Sequence, residues 1–166
     1  MARDYQDLKF RGRNRLSGNW GRLYINGVMI FEISAFEAKV TANRDTVIIG
    51  QSEDSKITSL AGEGSFTIKS VFTRGYNRLL ENWKSGYDER FVFVGVIRDP
   101  DTYLKQEERI RIENVAIDSL EIMKFEKGSV VEKTVDFHFT PEDLYFENAI
   151  EVSGESVVHE SGGMTW

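Results

Sequence analysis

"FEISAFEAKV", residues 31–40, reads as a strand whose buried face changes partway along. Phe31, Ile33 and Ala35 fall on a two-residue period, with Glu32 and Ser34 between them. From Phe36 the parity reverses: Phe36, Ala38 and Val40 are apolar, while Glu37 and Lys39 are polar. Because side chains alternate faces along a strand, a one-residue slip sends every later side chain to the opposite face. Three arrangements absorb such a flip. A bulge adds one residue within a sheet, a corner carries the strand from one sheet into another, or the far end leaves its own core and is buried against another subunit. Taken as one strand, residues 28–42 would span roughly 45–50 Å. That is more than a small β-domain uses, and a long exposed edge invites pairing with a neighbouring chain.

Outward from this stretch the chain is mostly strand. "RLYINGVMIF" holds Asn26-Gly27 between apolar runs, a strong hairpin signal. Residues 43–64 mix the apolar burst Val47-Ile48-Ile49 with Gly, Ser and Asp, and read as a loop. "SFTIKSVF" alternates, with Phe66, Ile68 and Phe72 on one face. "RFVFVGVI", residues 90–97, is nearly continuous and reads as a strand covered on both sides. "ERIRIENVAIDSLEIMKFEKG" alternates through Ile110 and Ile112, shifts parity to Val115 and Ile117, and shifts again to Leu120 and Ile122. "KTVDFHF" points Val135, Phe137 and Phe139 inward. One helix stands out: Tyr76, Leu79, Leu80 and Trp83 form an apolar stripe at helical spacing, with Thr73 as N-cap candidate and Gly86 as terminator. The fold class is therefore mainly β, a β-sandwich or barrel with one flanking α-helix.

At 166 residues the chain is one domain, with or without tails. It has no run of apolar residues long enough to span a membrane, and MARDYQDLKF carries acids where a signal peptide would be apolar. The absence of cysteine excludes disulfides and thiol chemistry and fits assembly in a reducing cytoplasm. A formal charge of −6 argues against general nucleic-acid binding. The charge is uneven: Arg3, Lys9, Arg11, Arg13 and Arg15 outweigh Asp4 and Asp7, so a basic arm precedes an acidic body. Such an arm suits docking on a neighbouring copy, as Arg11, Arg13 and Arg15 would, or remains a solvated terminus.

Motifs for chemistry are weak. His138 and His159 have no second ligand at metal spacing, so no metal site is expected. "DPDTY", residues 99–103, lacks the glycine and distal glutamate of a calcium loop and reads as a turn begun by Asp99. "GEGS", residues 62–65, leads into a strand and so builds no phosphate cradle. No catalytic residue, cofactor or enzymatic activity is expected from these patterns.

The ordered series "SGNWGRLYINGVMIFEISAFEAKV", "DTVIIGQ", "GEGSFTIKSVFTRGYNRLLENWKSG", "RFVFVGVIRDPDTY" and "ERIRIENVAIDSLEI", ending in the F-x-F-T of Phe137–Thr140, resembles the tail tube proteins of contractile phage tails. The likeness extends to the tube proteins of the defective Bacillus prophage and of clostridial R-type tailocins, over about residues 17–150. It implies a tail-tube β-domain at 17–150; the basic arm at 1–16, read from its charge, and the flexible tail at 151–166, read from its composition, are where the chain departs from the family. It also implies hexameric rings whose inner strands join into a β-barrel and stack into a tube. Phe31, Glu32, Ile33, Phe36, Glu37 and Lys39 then belong to an inner-barrel strand, and 57–72 to a second one. Val47, Ile48, Ile49 and Gln51 belong to a loop that packs on the next ring, and Glu32, Glu37 or Glu63 to an acidic lumen wall. The implied partners are the chain itself, sheath and baseplate proteins, and DNA only in passage through the lumen if the particle has a head, with no membrane insertion. The implied place is a virion tail or tailocin particle assembled in the bacterial host cytoplasm. The competing readings are a type VI secretion-like tube protein, a non-assembling β-sandwich binding module and a small hydrolase with a carboxylate pair.

Overall fold

The computed structural model describes residues 12, 15–69, 75–102 and 107–149. The fold is mainly antiparallel β with one helix. The strands are β1 (Gly21–Ile25), β2 (Val28–Met29), β3 (Ile33–Ile49), β4 (Ser52–Lys69), β5 (Arg90–Arg98), β6 (Glu107–Leu120), β7 (Glu132–Phe139) and β8 (Leu144–Asn148). Helix α1 spans Tyr76–Lys84. The sheet order is β2-β1-β5-β6-β7-β4-β3, with β8 pairing β6. The chain divides into two compact units. The larger comprises residues 22–95 and 111–145, and the smaller holds the described parts of 1–21, 96–110 and 146–166.

In the larger unit, Asn26 and Gly27 both adopt positive φ, 49° and 81°, and close the β1–β2 hairpin. This is the mirror-image turn whose twist matches that of the strands it joins. Asn26 also exchanges bonds with Val92: its N–H donates to the Val92 carbonyl at 2.9 Å, and its side-chain oxygen accepts from the Val92 N–H at 2.9 Å. Helix α1 ends in a Schellman arrangement. Gly86, at φ 84°, donates to the Trp83 carbonyl at 3.0 Å, and Tyr87 donates to the Asn82 carbonyl at 2.8 Å. Leu79 is its buried anchor. The helix N-cap is Gly75; Thr73 and Phe72 lie outside the described residues.

The core of this unit is an aromatic cluster drawn from four strands. Phe137 meets Phe93 edge-on at 4.9 Å and stacks on Phe36 at 6.0 Å, and Phe66 meets Phe93 edge-on at 5.8 Å. Gly62 and Gly64 of β4 make room for it. A Cβ at Gly62 would stand 2.5 Å from the Phe139 ring, and one at Gly64 would stand 2.5 Å from Phe137 Cζ and collide with the Glu37 carbonyl. The glycines expected to loosen a loop instead sit mid-strand, where two phenylalanines cross the sheet.

Two expectations need correction here. Residues 28–42 are not one strand: β2 ends at Met29, Phe31 and Glu32 form a turn, and β3 begins at Ile33. The run 90–97 is not covered on both sides throughout, since Phe91 and Phe93 are buried but Val92 between them is 37% exposed.

In the smaller unit, Asp99 organises the turn that the sequence placed at DPDTY. Its carboxylate accepts from the Ser17 N–H at 3.1 Å and the Asp101 N–H at 3.0 Å, while its carbonyl accepts from the Thr102 hydroxyl at 2.8 Å. Ser17 in turn caps the short 3-10 turn Gly18–Trp20.

Candidate assembly surface

The parity flip at 31–40 is a bulge. Ile33 pairs with Ile68, and Ala35 pairs with Thr67, so Ser34 is an extra residue without a counterpart on β4. Phe36 then pairs with Phe66. Ile68 and Phe66 share a face of β4, so Ile33 and Phe36 share that face too, despite their odd spacing in sequence. The Ser34 hydroxyl donates to the Thr67 carbonyl at 3.2 Å across the bulge. No reversal of the buried face occurs.

The same device recurs along the hairpin. Asn43 pairs with Ser59 and Arg44 with Ile57, leaving Thr58 as the extra residue on β4; its hydroxyl donates to the Asn43 carbonyl at 3.2 Å. This bulge keeps Ile57, opposite Arg44, on the face that carries Val40 and Leu60, the latter opposite Ala42. On β6, Asn114 adopts φ 54° between the fully buried Ile112 and Val115. A further shift makes Asp118 the extra residue between Ile117, paired with Phe137, and Ser119, paired with Asp136.

The consequence is a long arm. Strand β4 pairs with β7 only from Gly62, opposite Phe139, to Lys69, opposite Glu132. Its preceding segment, Ser52–Ala61, pairs among the described residues with β3 alone. The segment read as a loop at 43–64 is therefore a two-stranded ribbon that extends about 30 Å beyond the last β7 pair. It turns at Gly50 (φ 63°) and Gln51. Its tip carries Val47, Ile48 and Ile49, with Ile48 75% exposed. The ribbon face continuous with the core exposes Val40, Ile57 and Leu60 as well. A lone two-stranded ribbon is marginal in water, and an apolar one with an open edge calls for a covering partner.

The opposite face of the same sheet is polar. Glu37 pairs with Ser65, which pairs with Asp136, and the Ser119 hydroxyl donates to the Asp136 carboxylate at 2.8 Å. Lys39 meets Glu63 at 3.3 Å, Glu63 pairs with His138, and His138 Nδ1 bonds the Asp118 carboxylate. These groups are about half-exposed, so their ion pairs add little stability and set the charge of the surface. Among the described residues, no group of three or more His, Cys, Asp or Glu is placed to hold a metal ion.

The sequence-predicted residues thus separate into groups. Glu37 and Lys39 share the polar face, Ile33 and Phe36 the core face, and Val47, Ile48, Ile49 and Gln51 the tip. Phe31 is 58% exposed in the turn, and Glu32 beside it is buried, so neither belongs to the strand. Of the arm residues, Arg15 is exposed. Arg11 and Arg13, with His159 and the 151–166 tail, lie outside the described residues. Ile57 and Leu60 are the exposed apolar residues that the loop reading passed over. Their signal was the offset between Ile57 and Leu60, the same odd spacing that marks the bulge at Ser34.

Residues 8–145 match the family described as "Phage tail tube protein". Over 140 residues the chain is 29% identical to the phage-like element PBSX protein XkdM of Bacillus subtilis (strain 168), covering 82% of this chain and 95% of that one. Its fold is similar to a chain in the sheath-tube complex of an extracellular contractile injection system, PVC, in the extended state, with TM-score 0.62, 6% identity and coverage of 88% and 99% of the two chains. It is also similar to a chain of the anti-feeding prophage tube-terminating cap, with TM-score 0.62, 12% identity and coverage of 90% and 100%.

Proposed function

The chain belongs to the phage tail tube protein family, and from that premise we propose that it builds the inner tube of a contractile tail or tail-like particle by stacking hexameric rings. The observation that carries this reading is the β3–β4 ribbon. It runs on past Gly62 and Phe139 with Val40, Ile57 and Leu60 facing solvent on an extension of the core face. A second copy that pairs with the open edge of β3 would cover both the apolar face and the unpaired backbone groups.

The polar face then forms the lumen wall. Glu37, Glu63, Asp118 and Asp136 outnumber Lys39 there, so the wall carries net negative charge and repels any nucleic acid in passage. Sheath and baseplate proteins contact the outside and the end of the tube. Assembly takes place in the host cytoplasm, and the product resides in the tail. The basic arm 1–16, through Arg11, Arg13 and Arg15, docks on the acidic surface of a neighbour. The role is structural, with no catalytic step.

Negative-stain electron microscopy of the purified chain tests this. Rings or tubes of uniform width are expected, and a concentrated solution that stays monomeric by light scattering overturns the proposal. A second arm replaces residues 44–58 with Asn-Gly, which keeps the Asn43–Ser59 pair and the core glycines. Folded protein without tubes is expected, and tubes of unchanged length overturn the ribbon's part in stacking.

A further inference from the structure

The proposed stacking needs a surface that receives the hairpin tip, and we infer that the exposed 121–131 loop of a second copy is that seat. The inference rests on the tube reading above and names the partner surface.

The loop "EIMKFEKGSVV" joins β6 to β7 and exposes Ile122, Met123, Phe125 and Val130 at 53%, 80%, 73% and 82%. Single exposed apolar side chains are ordinary, but a run of them on one loop marks an interaction site. The loop is held in place while its apolar groups face outward. The Glu121 carboxylate accepts from the Thr134 N–H at 2.7 Å, and the largely buried Lys133 donates through Nζ to the Ile122 carbonyl at 2.9 Å. Lys133 also lies over the Tyr76 ring at 5.6 Å. The Ser129 N–H closes a turn onto the Glu126 carbonyl at 3.1 Å, with Gly128 at φ 90°. A preorganised apolar loop loses little entropy on docking.

Placement and charge identify the occupant. Glu132, where the loop rejoins the sheet, pairs with Lys69, while the tip begins at Ser52, the other end of the same strand. Tip and loop are therefore about 55 Å apart along β4. They cannot meet within one copy; between copies, an antiparallel pair would close after two, whereas a head-to-tail contact leaves a free tip and a free loop at the ends. Head-to-tail contacts propagate as an open stack where the rotation between copies does not close, and a ladder longer than a dimer distinguishes that stack from the antiparallel pair. The tip bears Glu53 and Asp54, which make no ion pair with a described residue, so tip against tip sets like charges together. The loop bears Glu126 and Lys127, neither of which makes an ion pair with a described residue, and its Lys124 pairs with Glu121 at 3.8 Å, so it is neutral overall and sets no like charge against the acidic tip.

The cysteine-free chain allows a direct test. A variant with both Ile48→Cys and Phe125→Cys, oxidised after assembly, is expected to give a ladder of covalent multimers on a denaturing gel. Each single variant is expected to stop at dimers or monomers. In parallel, Phe125→Ser with Val130→Ser, both exposed, is expected to keep the melting temperature and to raise the protein concentration needed for tubes about tenfold or more. Normal tubes without a ladder, or tubes from the serine variant at the original concentration, overturn this seat and leave the tube reading standing. Failure of the unmodified chain to form any assembly overturns both.

Discussion

The ring of Phe137 lies over Gly64: a Cβ at that glycine would stand 2.5 Å from Phe137 Cζ. The same ring stacks on Phe36 one strand further on, at 6.0 Å between centroids and 13° between planes. The absent side chain on β4 lets aromatic residues of β3 and β7 meet across it.

Gly64→Ala is accordingly expected to destabilise the fold by about 1–3 kcal/mol, because the added methyl meets a rigid ring on one side and a backbone carbonyl on the other. Gly18→Ala, where an added Cβ meets nothing within 4 Å, is the control and should stay within about 0.5 kcal/mol. Urea unfolding followed by tryptophan fluorescence measures both.

Removing Ser34 tests the bulge. Deletion leaves the strand one residue short, so either Ile33 turns to the polar face or the β3–β4 pairing slips. Loss of about 1–2 kcal/mol is expected from the exposed isoleucine alone. Ser34→Ala, which removes only the exposed bond to the Thr67 carbonyl at 3.2 Å, should cost about 0.5 kcal/mol or less. Thermal melts of the two variants separate a register effect from a lost hydrogen bond.

Tyr76 predicts an alkaline effect. Burial, and then the neighbouring Glu121 carboxylate, push its hydroxyl above the usual tyrosine range. Below the ordinary value of about 10, both folded and unfolded chains keep the proton and stability is unaffected. Above it, the unfolded chain loses the proton first, the folded state binds more protons, and stability falls as pH rises. Tyr76→Phe should flatten that fall in urea midpoints measured from pH 9 to 11. At pH 7 it should be neutral or slightly stabilising, since the buried hydroxyl has no hydrogen-bond partner among the described residues.

Asp99 links two distant sequence motifs through its carboxylate, which receives the N–H groups of Ser17 and Asp101. Asp99→Ala leaves both donors without it and is expected to cost about 1–3 kcal/mol. Asp99→Asn keeps one acceptor oxygen and should cost about half as much. Faster amide hydrogen exchange at Ser17 in the alanine variant locates the effect.

Much of this was legible in the residues. The Asn26-Gly27 turn, the helix stripe with its Gly86 stop, the Asp99 turn and the inward Val135, Phe137 and Phe139 all follow from local rules that act within a few positions. The ribbon was not legible, because Gly62 and Gly64 carry a loop signature when read alone. Their cause is a pair of phenylalanine rings more than seventy positions away in sequence, and only strand pairing brings those rings to them. The exposed 122–130 run was equally hidden. Its apolar residues resemble the end of a strand until the end of β6 at Leu120 leaves them outside.

Residue counting alone places breaks in the alternation between Ala35 and Phe36, between Ile112 and Val115, and between Ile117 and Leu120. Such breaks are counts of residues, and counting is local. What absorbs each break depends on which strands pair, because a bulge, a sheet corner and a shared subunit strand give the same count. The partner strand, by pairing two residues against one, keeps Ile33 with Phe36 and Ile57 with Leu60. That places the apolar face of the fold out along the ribbon.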